Sequence, residues 1–115
     1  MGFKIESSLL DACALAILSR GDTYGYEITQ QMKEAITISE STLYPVLRRL
    51  QKDGLCQTYD QPYQGRNRRY YTITKKGREK LADYRSQWRA YRLAIEKLLD
   101  GGRTKEEEEK GGTEQ

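Results

Sequence analysis

Apolar positions divide the chain into helical and extended segments, and the clearest pattern is SESTLYPVLRRLQKDGL, from Ser39 to Leu55. Leu43, Val46, Leu47 and Leu50 fall at i, i+3, i+4 and i+7, one apolar stripe along a helix. Ser39 offers a hydroxyl of the kind that caps a helix start. Asp53-Gly54 ends the element, because glycine accepts the left-handed conformation at which many helices stop. Pro45 falls in the first two turns, where a missing backbone donor costs least. The face opposite the stripe carries Ser41, Thr42, Tyr44, Arg48 and Arg49. A helix anchored on one side, with hydroxyls, a phenol and guanidiniums on the other, has the width and the donors that suit a DNA major groove.

The same periodicity predicts a first helix over residues 6–19, apolar around most of its circumference. Arg20-Gly21-Asp22 reads as a turn, and Thr23 as the cap of a second helix in which Tyr24, Ile28 and Met32 share a side. The β-branched residues 36–38 separate it from the third helix. After Gly54 the pattern changes to Tyr, Thr and Ile in LCQTYDQPY and RRYYTIT, joined by QGRN, which predicts a β-hairpin with Pro62 on an edge strand. Its tip is expected to be a mobile basic loop of Gly65, Arg66, Asn67 and Arg68. Thr74 can cap a last helix reaching Leu99, where Leu81, Tyr84, Trp88, Tyr91, Ile95 and Leu98 follow heptad spacing. Such a stripe is either one half of a dimer contact or packed on its own domain. From Asp100 onward there is no apolar residue, and residues 100–115 are expected to be a disordered charged tail.

Charge sharpens this picture. Residues 1–99 hold 17 Lys and Arg against 11 Asp and Glu, whereas residues 100–115 hold 3 against 6. Between Arg66 and Lys80 seven cations face only Glu79, a balance that favours a polyanionic partner. The chain has no histidine, the commonest general base and a frequent metal ligand. Cys13 and Cys56 are too far apart in sequence for a metal motif, and no nucleophile elbow, P-loop or dinucleotide fingerprint occurs. The expectation is therefore no enzyme, no metal and no cofactor. Reduced cysteines, with neither a membrane-length apolar run nor a leader, suggest a cytoplasmic protein.

Helix, helix, turn, helix and a basic hairpin make a winged helix. TYGYEI at 23–28, STLYPVLRRLQKDGL at 41–55 and GRNRRYYTITKKG at 65–77 closely resemble the PadR family of bacterial transcriptional regulators. The short C-terminal helix is similar to that of the small subfamily, which includes multidrug-sensing repressors. The resemblance implies an α+β, mostly α, winged helix-turn-helix with a long C-terminal dimerisation helix. Residues 1–74 would form the DNA-binding domain and 75–99 the dimer helix. It further implies a homodimer on palindromic operator DNA, with Ser39, Ser41, Thr42 and Tyr44 near base edges or phosphates and Arg48 and Arg49 tracking the backbone. Gly65, Arg66, Asn67, Arg68 and Arg69 correspond to the wing. Asn67 stands where many members have proline, which implies a more flexible tip.

By the same resemblance, Trp88 would face its symmetry mate and stack a planar aromatic effector. Leu81, Tyr84 and Arg85 would line that slot and Leu9, Ala12 and Cys13 close its sides. Arg92 stands where such relatives can have an acidic group, which leaves neutral or phenolic ligands open. The alternative for Trp88 is a packed knob. The alternatives for the whole chain are a protein–protein adaptor that uses its tyrosine-rich hairpin, and an RNA-binding winged helix.

Overall fold

A computed structural model describes residues 3–101. The elements run α1 (Ser7–Ser19), β1 (Thr23–Tyr24), α2 (Gly25–Ala35), α3 (Glu40–Lys52), β2 (Cys56–Tyr63), β3 (Arg66–Ile73) and α4 (Lys75–Leu99). This is the mainly helical α+β winged helix-turn-helix, with the long final helix, that the sequence predicts. The three strands form an antiparallel sheet in the order β1-β3-β2, so β2, with Pro62, is an edge strand. The expected tail falls largely outside the described residues. Contacts divide the chain into two units that part within α4, between Tyr84 and Arg85.

The core of the first unit joins Leu10, Ala14, Leu15, Ile17 and Leu18 of α1 to Ile28 and Met32 of α2. Leu43, Val46, Leu47 and Leu50 of α3 complete its centre. All four positions of the predicted α3 stripe are thus buried. Asp11 is buried as well, the one acidic residue in an otherwise apolar helix face.

Two local expectations change. Thr23 does not cap α2: it lies in β1 and pairs with Tyr71, while Tyr24 pairs with Tyr70 and precedes the helix. A two-residue strand has no periodicity of its own to read, and it exists because β3 offers it a free edge. Ser39 does occupy the cap position of α3. Its hydroxyl, however, bonds the hydroxyls of Ser41 (3.0 Å) and Thr42 (2.9 Å) rather than a backbone N–H.

The end of α3 and the start of α4 are built into one joint. Gly54 (φ +74°) donates its N–H to Gln51 O and Leu55 donates to Leu50 O, the paired bonds of a Schellman termination. Thr74 then donates its backbone N–H to Leu55 O and its hydroxyl to Gly54 O, and accepts from the Gly77 N–H at 3.0 Å as the cap of α4. Lys76 Nζ donates to Asp53 O. Gly77 is buried here, directly against the Leu55 carbonyl and Ile73.

Candidate nucleic-acid interface

The α3 stripe holds that helix in the core and leaves Ser39, Ser41, Thr42, Tyr44 and Arg48 exposed along its outer side, with Tyr44 51% accessible. Arg49 behaves differently. It lies three residues after buried Val46 and turns inward, its Nε donating to Asp11 Oδ2 at 3.2 Å and its Nη2 to Oδ1. The Asp11 side chain is only 11% exposed and that of Arg49 39%. This hydrogen-bonded carboxylate is the main cause that raises the Arg49 pKa. Of the two arginines expected to follow a DNA backbone, Arg48 is thus exposed, while the Arg49 guanidinium is paired with Asp11 in the free chain.

The hairpin turn is tighter than expected. Gln64 (φ +50°) and Gly65 (φ +79°) alone form it, both in the left-handed region that a two-residue type I′ connection requires. Arg66, Asn67 and Arg68 are not in a mobile loop; they lie in β3, opposite Tyr63, Pro62 and Gln61. Asn67 is paired with Pro62 in the ladder.

Register then splits the basic run, because directly opposed residues share a face and successive residues alternate. One face begins with buried Cys56 and Ile73 and continues through Tyr71, Arg69 and Asn67. Burial raises the pKa of Tyr71, with smaller electrostatic effects from Arg69, Cys56, Tyr44 and Arg48, and Tyr71 packs against the core on this face. Arg69 also makes a loose, exposed pair with Asp60 at 3.8 Å, of a kind that stabilises little. The other face carries Tyr59, Tyr63, Arg66, Arg68 and Tyr70, with Tyr24 beside them. There Arg68 stacks over Tyr63 (3.4 Å to the ring centroid) and Tyr24 (4.0 Å). The candidate contact residues are thus Ser41, Thr42, Tyr44 and Arg48, exposed on α3, and Asn67 and Arg69, exposed on the hairpin face that also carries Tyr71.

The residues expected around an effector are distributed as follows. Leu81 is a core residue, 3% exposed, and has no open side to present to a ligand. Leu9, Ala12 and Cys13 are half-buried on α1, and burial raises the Cys13 thiol pKa. Tyr84 is half-buried too, its pKa raised first by burial and then by Asp11. In the second unit Arg85, Trp88 and Arg92 are exposed, and the Trp88 ring stands tilted against Tyr91 at 6.3 Å. Cys56 is buried and its thiol is pushed up to about 11 by desolvation, so it is a core side chain and a poor nucleophile. Among the described residues no group of three His, Cys, Asp or Glu could hold a metal ion, and no helix is long and apolar enough to cross a membrane.

Sequence reasoning missed Asp11 and Tyr71. A lone acid inside LLDACALAIL is itself a signal, since a buried carboxylate needs a cation and hydrogen bonds. The electrostatic effect of Tyr44 and Arg48 on Tyr71 depends on tertiary folding, which local periodicity does not encode.

Comparison with known proteins agrees with this geometry. A Streptococcus mutans protein, smu.1704, has a crystal structure that matches at a TM-score of 0.82 and 38% identity, over 90% of this chain and 98% of that one. The Negative transcriptional regulator PadR of Bacillus subtilis is 30% identical over 82 residues, which are 66% of this chain and 44% of that protein. A structure of Bacillus subtilis PadR in complex with operator DNA matches at a TM-score of 0.63 and 26% identity, over 70% of this chain and 47% of that one. The profile of the Transcriptional regulator PadR-like family matches residues 14–83, well over half of the chain. This protein therefore belongs to the PadR-like family of transcriptional regulators, and it is not an enzyme.

Proposed function

We propose that the protein is a homodimeric repressor of the cytoplasm that binds palindromic operator DNA. The observation that carries this reading is the core-anchored helix α3, which leaves Ser41, Thr42, Tyr44 and Arg48 exposed, together with a hairpin that leaves Asn67 and Arg69 exposed. The hydroxyls and the phenol suit base edges and phosphates, and the two arginines suit the backbone. The Bacillus subtilis relative, named a negative regulator and seen with operator DNA, supports both the partner and the sign of regulation.

The dimer contact is assigned to α4 beyond Tyr84. Trp88, Tyr91, Ile95 and Leu98 keep heptad spacing there and are all exposed in the single chain, so a second copy would cover them. A symmetric pair fits half-sites one helical turn apart or a multiple of it. Selection of duplexes from a random pool, followed by titration at several salt concentrations, tests the whole reading. Recovery of a palindromic site is the expected result; binding no better than to random duplex refutes it. On that site Arg48→Ala should weaken binding to every sequence alike and reduce the slope of log K against log salt by about 1. Loss confined to one base position would make Arg48 a base reader instead.

As in the small multidrug-sensing relatives, the effector is a planar aromatic compound stacked between the two Trp88 rings, with Arg85 and Arg92 disposed to accept phenolic or anionic groups. It acts by preferring the form of the dimer that cannot engage DNA. Trp88 is the only tryptophan, so its fluorescence has one source. Saturable quenching by a planar compound that also releases DNA, with the release abolished in Trp88→Ala, is expected. Undiminished release from that variant would remove Trp88 from the effector site.

A further inference from the structure

Arg68 stands in the middle of a wing arginine cluster, yet its surroundings are aromatic. The guanidinium carbon lies 3.4 Å from the Tyr63 ring centroid, 4.0 Å from that of Tyr24 and 6.0 Å from that of Tyr70, and Nη1 donates to the Tyr70 hydroxyl at 3.4 Å. The rings are themselves joined. Tyr24 meets Tyr70 edge-on at 5.6 Å, Tyr59 stacks on Tyr70 at 5.6 Å, and the Tyr59 hydroxyl donates to Asp22 at 2.8 Å.

Their placement on the sheet gives the cluster a purpose. β1 pairs with β3 only at Tyr70 and Tyr71. From there to the turn, the hairpin is a two-stranded ribbon, which is marginally stable without further support. Tyr24 belongs to the strand at the root of this ribbon, and Tyr63 to the last pair before its turn. Arg68 spans the two as a strut along the free part of the hairpin. Asn67 and Arg69, its sequence neighbours, belong to the opposite face, which carries buried Cys56 and Ile73 at its root. A planar guanidinium is suited to lie between two rings in a way an ammonium is not.

We propose that Arg68 is a positioning residue of the wing: clamped between Tyr24 and Tyr63, it stiffens the hairpin and aims Asn67 and Arg69, and it does not contact DNA itself. The clamp is a property of the free protein, whereas its effect on DNA rests on the operator-binding reading above, so the two are tested separately.

The first test is amide hydrogen exchange of the free full-length protein at residues 61–69. Faster exchange there in Arg68→Leu, Arg68→Lys and Tyr63→Ala, with α3 unchanged, is the expected result. Exchange as slow as in the parent protein in all three variants would overturn the clamp, whatever the protein binds. The second test is operator binding against salt. Arg68→Leu and Arg68→Lys should both lose affinity by about five- to tenfold, while the slope against log salt stays as in the parent. Tyr63→Ala should lose a similar factor, and combining it with Arg68→Leu should add little further loss, because both remove the same clamp. If Arg68→Lys instead binds as the parent does and Arg68→Leu reduces the slope by about 1, Arg68 is a phosphate contact and the proposal fails.

Discussion

Gly77→Ala should destabilise the fold by about 2–3 kcal/mol, even though alanine is the better helix former by about 1 kcal/mol. Helix propensity and packing therefore predict opposite signs, which makes the substitution a sharp test. A Cβ at Gly77 would lie well inside contact distance of the Leu55 carbonyl oxygen and 2.8 Å from Ile73 Cγ1. Leu55 cannot step aside. Its N–H is committed to Leu50 O and its carbonyl oxygen to the Thr74 N–H, so yielding would open both the α3 termination and the α4 cap. For a domain of this size the expected fall in unfolding midpoint is on the order of 10 °C or more. Thermal unfolding of Gly77→Ala beside Lys75→Ala, an exposed neighbour in the same turn, measures it. An unchanged or raised midpoint would mean that α4 does not begin against Leu55 in the way described.

The Asp11–Arg49 pair should show an asymmetry that depends on which partner is removed. Arg49→Ala leaves a carboxylate that is 11% exposed without its cation, whereas Asp11→Ala leaves a guanidinium already 39% exposed and free to turn toward water. The cost of breaking a buried pair, about 3–5 kcal/mol, has to be reduced for that exposure. We expect about 2–3 kcal/mol for Arg49→Ala and about 1–2 kcal/mol for Asp11→Ala. Chemical denaturation of both single variants and the double variant gives the coupling directly. Arg49→Ala should leave the salt dependence of DNA binding as it is, in contrast to Arg48→Ala. A lowered slope would show that Arg49 reaches phosphate when DNA is present, and equal stability losses would remove the burial argument.

These two arginines also mark how far the sequence can be read. The stripe of Leu43, Val46, Leu47 and Leu50 identifies a helix and its buried side, because burial imposes that period. Arg48 and Arg49 fall near the margin of the stripe, where a rotation of 100° per residue decides between solvent and core. Only the presence of Asp11 on α1 settles the matter, and that is a contact across 38 residues of sequence. The hairpin was visible in composition, but the extent of its turn was not. QGRN reads as a four-residue connection, whereas Gln64 and Gly65 alone take the left-handed conformation, and the shorter turn shifts every cross-strand partner by two residues. Thr23 escapes local reading for a related reason, since its strand is dictated by Tyr71, a partner far along the chain. What could be read was what local periodicity encodes; what could not was register and pairing.

The two-residue turn gives the wing a parity. Odd positions 67, 69 and 71 of β3 belong to the core-side face that carries Cys56 and Ile73, and even positions 66, 68 and 70 to the tyrosine face. A single inserted residue within β3 would act as a frameshift in space: it would bring tyrosine-stacking arginines to the core-side face and send Asn67 or Arg69 away from it, with composition and charge almost unchanged. Two inserted residues would only lengthen the ribbon. Relatives of this protein can therefore differ freely in wing length by steps of two, and a change of one demands a bulge to restore the phase.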